Sequence, residues 1–325
     1  MISSCFRVSA PAALLLLLAS PGKTQTANFQ GPIGGFVFSG ASKTVRPLLG
    51  LAGSTHLASP ILSQVESASI APGGKWAFIT RSRRSAFVSG LDSLTPVEAS
   101  VDGLIESVDR IAWSRDGSFA VLYSSSGNLL QRVRFSGSQP AADAAIDVSS
   151  WGQLTTLAID PAGQQIAAGF AASGLYLFAA GQSPALLLSM ANPQAAAFDR
   201  TGQWLYAIDP DNQRIVQFQS GSAFSVFASL VQPNGPALQP AGLAVSGDGR
   251  YLLMPDATTQ SVLVYEIGSG SLANTIPLSF APSRFEALSA GPAFLLNGNK
   301  RNEWLLVLDA SQTPTVYFVP GEAAR

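Results

Sequence analysis

The sequence predicts an all-β, single-domain fold: a β-propeller of four-stranded antiparallel blades, seven of them, or six with an added N-terminal hairpin. Three observations carry this. The stretch from Gln194 to Phe218, QAAAFDRTGQWLYAIDPDNQRIVQF, alternates apolar strands with polar turns, and copies of it recur along the chain. The turn glycines of the copies, Gly74, Gly117, Gly163, Gly202, Gly249 and the degenerate Gly291, stand 43, 46, 39, 47 and 42 residues apart. A period of that length marks a propeller or a solenoid and leaves room for four short strands per unit. The flanking strands are also apolar nearly throughout rather than alternating, as a sheet covered on both faces requires, and such sheets repeated radially make a propeller.

Taken in order, Met1 to about Thr26 stands outside the repeat. Arg7 precedes an apolar run, Ala12 to Ala19, which is followed by small and polar residues. Eight apolar residues are too few to span a bilayer, so residues 1–26 read as a cleaved secretory signal and 27–325 as the propeller domain. The only cysteine, Cys5, leaves with that signal. A mature chain without disulfides suits a domain large enough to bury its own core in an oxidising compartment. With no Asn-x-Ser/Thr acceptor, the expectation is a bacterial chain that is secreted or periplasmic, with no membrane span.

Residues Asn28 to Ser63 form an imperfect unit, with Phe36 to Phe38 and Val45 to Leu51 as an outer hairpin and a loop from Gly53 to Pro60. Five clear units follow, SIAPGGKWAFIT, IAWSRDGSFAVLY, LAIDPAGQQIAAGF, the Gln194 stretch and LAVSGDGRYLLMPD, then the degenerate ALSAGPAFLLNG. Gly in each turn fits a residue at positive φ, and Asp or Ser just before it can bond the turn's backbone. Trp304 to Asp309 and Thr315 to Val319 read as a closing pair, because an open ring would leave strand edges unpaired. The N-terminal strands are expected to pack against the last blade and to complete it.

LYAIDPDNQRIVQF, Leu205 to Phe218, resembles the NHL and YVTN repeat pattern, an apolar run ending in Asp before Asn-x-Arg-Ile. The turns APGG, SRDG, DPAG, DRTG and SGDG are similar to those of YVTN, TolB-like, WD40-like and lactonase-like propellers. The resemblance spans nearly the whole mature chain and implies architecture. For function it implies either a binding scaffold or a hydrolase, since fold does not fix activity. The lactonase-like relatives are thought to use a histidine with acidic and arginine partners.

The chain holds 19 basic and 20 acidic residues, a charged fraction of 12% and a net charge of −1. No basic stripe appears, which argues against nucleic acid as a partner. His56 is the only histidine and reads as a solvated side chain in the Gly53–Pro60 loop, without a second ligand to share a metal. No Gly-x-Ser-x-Gly elbow exists, and Gly22-Lys23-Thr24 lacks the leading glycine of a phosphate loop. Asp209, Asp211 and Asn212 crowd one turn, but a Ca²⁺ site needs about six oxygens, so they read as stabilising the turn. Trp76, Trp113, Trp204 and Tyr251 read as packing between blades, as does Trp151, the one aromatic placed to contact a glycan or partner instead.

Residues that open innermost strands face the central channel, which nominates Glu66, Asp109, Arg110, Thr155, Gln194, Arg284 and Glu286. Charges of both signs at a channel mouth can hold a small polar ligand or act as acid and base, and they can equally be ion pairs of an ordinary channel. Glu66, Asp109, Arg110, Gln194, Arg284 and Glu286 are therefore taken as ligand-binding candidates, with no catalytic or metal residue assigned. The function that follows is a monomeric scaffold binding a protein or an envelope glycan, without a cofactor. The alternative is a lactonase-like hydrolase of small molecules working at the channel, with Ca²⁺ bound there.

Overall fold

The computed structural model describes residues 32–50, 53–137, 139–219, 224–230, 237–288, 293–297, 305–310 and 313–320. Residues 1–26, Gly291 and Trp304 lie outside them, as do the expectations placed there. The described strands assemble into seven antiparallel sheets, each built from strands consecutive in sequence. The first blade holds β1 (Ile33–Ser39), β2 (Thr44–Leu49) and β3 (His56–Leu57). The second runs β4 (Ser67–Ile70), β5 (Trp76–Arg81), β6 (Arg84–Ser89), β7 (Val97–Ala99). In the third, β8 (Arg110–Trp113), β9 (Phe119–Ser124) and β10 (Leu129–Ser136) are flanked by β11 (Gln139–Ala142) and β12 (Ile146–Asp147), which share the outer edge of β10. The fourth is β13 (Leu154–Ile159), β14 (Gln165–Phe170), β15 (Gly174–Ala179), β16 (Ala185–Leu188). The fifth is β17 (Ala196–Phe198), β18 (Trp204–Asp209), β19 (Arg214–Gln219), β20 (Ser225–Ser229). The sixth is β21 (Ala244–Val245), β22 (Tyr251–Asp256), β23 (Ser261–Glu266), β24 (Leu272–Pro277), and the seventh is β25 (Glu286–Ala287), β26 (Ala293–Leu295), β27 (Leu305–Asp309), β28 (Thr315–Val319).

The repeat period thus resolves into seven blades, and the alternative of six with an added hairpin falls away: β1 and β2 belong to a sheet of their own. The N-terminal strands do not complete the last blade either, because β25 to β28 already form its four-stranded sheet. What closes the ring is packing. Val37 and Leu48 of the first blade are buried against Leu288, Leu295 and Val319 of the seventh. At Gly35 a Cβ would stand 2.7 Å from the Cβ of Leu288, so the close approach of the two sheets uses the missing side chain. On its other side the first blade meets the second through Phe36, Val45, Ala77, Ile79 and Val88.

The core lies between blades, which is why second and third strands read as unbroken apolar runs. Trp76, Phe87, Trp113 and Phe135 interlock between the second and third blades, Phe87 and Phe135 edge to face at 5.0 Å. Trp204 packs among residues of the fifth and sixth blades, and Tyr251 among those of the sixth and seventh. Trp151 turns inward as well, 5.5 Å from the Phe178 ring and 5.6 Å from that of Tyr176.

In the third to sixth blades the turn after the innermost strand is locked by its own side chains. The Ser114 hydroxyl accepts the amide of Phe119, Ser246 that of Tyr251, Asp160 that of Gln165 and Asp199 that of Trp204. The glycines there have positive φ, as the sequence implies, and a second constraint acts on them. A Cβ on Gly74 would fall 2.0 Å from the Phe36 ring, one on Gly163 2.4 Å from the Phe119 ring and one on Gly117 3.1 Å from Ala71, each partner belonging to the preceding blade. The repeat glycine sets the turn and lets neighbouring blades touch.

Candidate ligand channel

The innermost strands of the second to seventh blades enclose a cavity of about 330 Å³. No described residue of the first blade lines it, and β1 and β2 are buried like the middle strands of other blades. Apolar side chains, Ile111, Trp113, Leu157, Phe198, Val245 and Phe285 among them, line much of it, while polar atoms hold the larger share of the exposed lining. Alanines at 112, 196, 244 and 287 keep it open. Trp113 is fixed by its indole N–H, which donates to the Ser69 hydroxyl at 2.9 Å across the blade boundary.

At the end where innermost strands begin, the sequence-nominated residues are placed as follows. Glu66 accepts the amide of Arg83 at 3.4 Å, and Asp109 accepts that of Ser125 at 2.6 Å, so both carboxylates hold turns between second and third strands. The Arg110 guanidinium donates to the Thr155 carbonyl in the next blade. Thr155 sits where β13 slips register between Leu154 and Thr156, and its hydroxyl oxygen is buried without a partner. Gln194 is exposed just before β17. Arg284 and Glu286 pair at 3.4 Å. Of these, Glu286 alone lines the cavity.

Glu286 has 55% of its side chain accessible, yet that surface faces a lumen walled by protein. Poor solvation there raises its pKa above the ordinary glutamate value, and the Arg284 charge opposes the shift. Its neutral form is correspondingly favoured.

At the other end, where innermost strands turn, one side chain crosses the ring. Arg115 leaves the third-blade turn and donates to carbonyls at the end of the innermost strand of the sixth blade: Val245 and Ser246 at 3.4 Å and Gly247 at 3.3 Å. Three blade positions out of seven separate the two strands, so the guanidinium lies across the channel end, which it also lines. Burial lowers its pKa first and the nearby Arg200 charge lowers it further, while Asp248 opposes both. The acidic groups around it are engaged elsewhere. Asp199 binds Thr201 and Trp204, Asp248 binds Ser246 and Arg250, and Asp116 binds Ser114 and Ser118. Among the described residues Arg115 has no ion pair.

Sequence reasoning passed over Arg115 because it considered only residues that open innermost strands. The signal was the second position of the turns: Arg115 and Arg200 stand where the other turns carry Pro72, Pro161 and Gly247. Around a ring those turns converge on the channel, and a long cation among them has the axis within reach.

The remaining candidates lie away from the cavity. His56 is in a strand rather than a loop: it sits in β3, the outer strand of the first blade, exposed and paired with Leu49. Asp209 is fully buried and binds the Asn212 amide side chain at 2.8 Å and the Arg214 guanidinium at 2.8 Å, whereas Asp211 turns away to the amide of Ala191. Among the described residues no group of three or more His, Cys, Asp and Glu is placed to hold a metal ion. No helix among them is long and apolar enough to cross a membrane.

No family model and no curated protein sequence matches the chain. Solved structures do. A chain of hydrazine synthase from Kuenenia stuttgartiensis is similar with a TM-score of 0.57 at 14% identity, over 93% of this chain and 99% of that one. A candidate 6-phosphogluconolactonase from Bacteroides uniformis reaches a TM-score of 0.57 at 15% identity, over 88% and 96%. A chain of a nidogen/laminin complex gives a TM-score of 0.48 at 15% identity, over 74% and 92%. The first two likenesses, at such low identity, are likenesses of fold.

Proposed function

We propose that this chain is a secreted or periplasmic recognition propeller that binds a protein or an envelope glycan and performs no chemistry. The observation that supports it is the engagement of the charged groups at the channel mouth: Glu66 and Asp109 hold backbone amides, Arg110 holds a carbonyl, and Arg284 holds Glu286. Acid–base catalysis needs groups free to meet one reacting atom, within hydrogen-bond reach of it and of each other. A hydrolase of the lactonase-like kind is the second reading. Glu286, held towards its neutral form inside the cavity, is the residue that favours it. His56 on an outer strand gives that reading no histidine at the channel.

The test is a turnover assay on lactones and phosphoesters, with Ca²⁺ and with chelator, run beside a glycan array and binding titrations against envelope proteins. The expected result is no turnover and a saturable partner. Chelator-sensitive hydrolysis that disappears in Glu286→Gln would replace recognition by catalysis.

A further inference from the structure

Arg115 has five N–H donors, of which the structure uses three, in hydrogen bonds of 3.3 to 3.4 Å that are longer than usual for N–H···O. Two come from Nη1 and one from Nη2. That leaves the Nε hydrogen and one Nη2 hydrogen, and the Nε–Nη2 edge of the planar group is a fork that can meet both oxygens of a carboxylate. Neutral carbonyls solvate the positive charge only in part, and Arg200 adds a second positive charge nearby. A half-buried cation with donors to spare stands at one end of a cavity whose wall is Ile111, Leu157, Phe198 and Val245.

We propose that the channel is a binding pocket for small monocarboxylates with an apolar body, the acid seated on Arg115 and the body along the apolar wall. A volume of about 330 Å³ admits a compact ligand rather than a chain segment of any length. The mouth fits the same class. Glu286 is answered there by Arg284, and Arg110 brings a positive charge whose partner is a neutral carbonyl, so the opening does not repel an incoming anion. The pocket rests on the proposed function only in that the ligand is held and not turned over.

The experiment titrates the full chain with phenylacetate and hexanoate, and with phenylacetamide and hexanamide, which have the same shape without the charge. Calorimetry and Trp113 fluorescence are the readouts, since Trp113 lines the cavity. The acids are expected to bind about tenfold or more tightly than the amides, as a charge-assisted fork requires. Arg115→Gln should bring the acids down to the amide level, and Arg115→Lys should retain part of the preference. Ala196→Phe fills the lumen and should abolish binding with Arg115 intact. The acid and amide comparison on the unaltered protein needs no variant to fold. Amides binding within about twofold of acids, or no binding of either at tens of millimolar, overturns the pocket and leaves the proposed function standing. Binding of the acids together with hydrolysis of their esters or lactones overturns the function and leaves the pocket.

Discussion

The two ends of the channel carry comparable charge and handle it in different ways. At the mouth the nominated charged groups find partners within their own blade or the next: Glu66 the Arg83 amide, Asp109 the Ser125 amide, Arg284 the Glu286 carboxylate and Arg110 the Thr155 carbonyl. At the turn end the acidic residues are satisfied within their own turns, and Arg115 reaches across the ring to the sixth blade. Charge answered locally stiffens a loop and leaves little field for a ligand. A guanidinium that lines the cavity with donors to spare keeps an attraction for an anion. The position of a charged residue in a repeat tells where it stands, and the reach of its partner decides what it can still do.

Four substitutions would break or sharpen that contrast. The largest effect is expected for Gly163→Val, which puts a β-branched residue at φ 66° into the space of the Phe119 ring at the turn end. A loss of roughly 3 kcal/mol or more in denaturant unfolding is expected, and a loss below about 1 kcal/mol would show the turns to be plastic. Arg115→Gln comes next, at about 1 to 2 kcal/mol, because three long hydrogen bonds are lost and the carbonyls can be rehydrated. If chemical denaturation finds no change, Arg115 is not a strut and only its ligand role remains. Asp109→Ala should cost about 1 kcal/mol, the worth of one short hydrogen bond to the Ser125 amide, and should raise hydrogen exchange only in the 125–128 turn. Protection lost across several blades would contradict the local character of the mouth.

The smallest effect concerns pH and Glu286. Its pKa is raised in the folded protein, so below the ordinary value of 4.5 both states are protonated and the group contributes nothing. As pH rises above 4.5 the unfolded chain ionises first, and the native state loses stability until its own carboxyl has titrated. Glu286→Gln should therefore melt slightly higher than the unaltered protein at pH 7 and identically at pH 3.5 to 4. The opposite ordering at pH 7 would mean that the Arg284 pair outweighs poor solvation.

The fold was legible because a propeller writes its geometry locally. DRTG and SGDG announce turns, LYAID and LLMPD announce buried strands, and β28 falls where the pattern puts it. The first blade was harder: Gly35 and Val37 take their meaning from Leu288, far away in sequence, so the sheet that seals the ring looked like a fragment of its neighbour. For the site, strand order nominated Glu286, which lines the cavity, together with Glu66 and Asp109, whose carboxylates accept turn amides. It could not supply Arg115, since the contact of a turn residue with carbonyls 130 to 132 positions on leaves no periodic trace.

Closing the ring by packing alone also sets the order in which the molecule can form. All strand pairing is between near neighbours in sequence, so each sheet can assemble as soon as its own strands exist, and such local pairing is fast. Val37 and Leu48 must wait for Leu288, Leu295 and Val319, which are made about 240 residues or more after them. Until then the nascent protein is an arc with two open apolar sides. Its period of greatest exposure to chaperones and to other copies of itself therefore lasts until the seventh blade has been made.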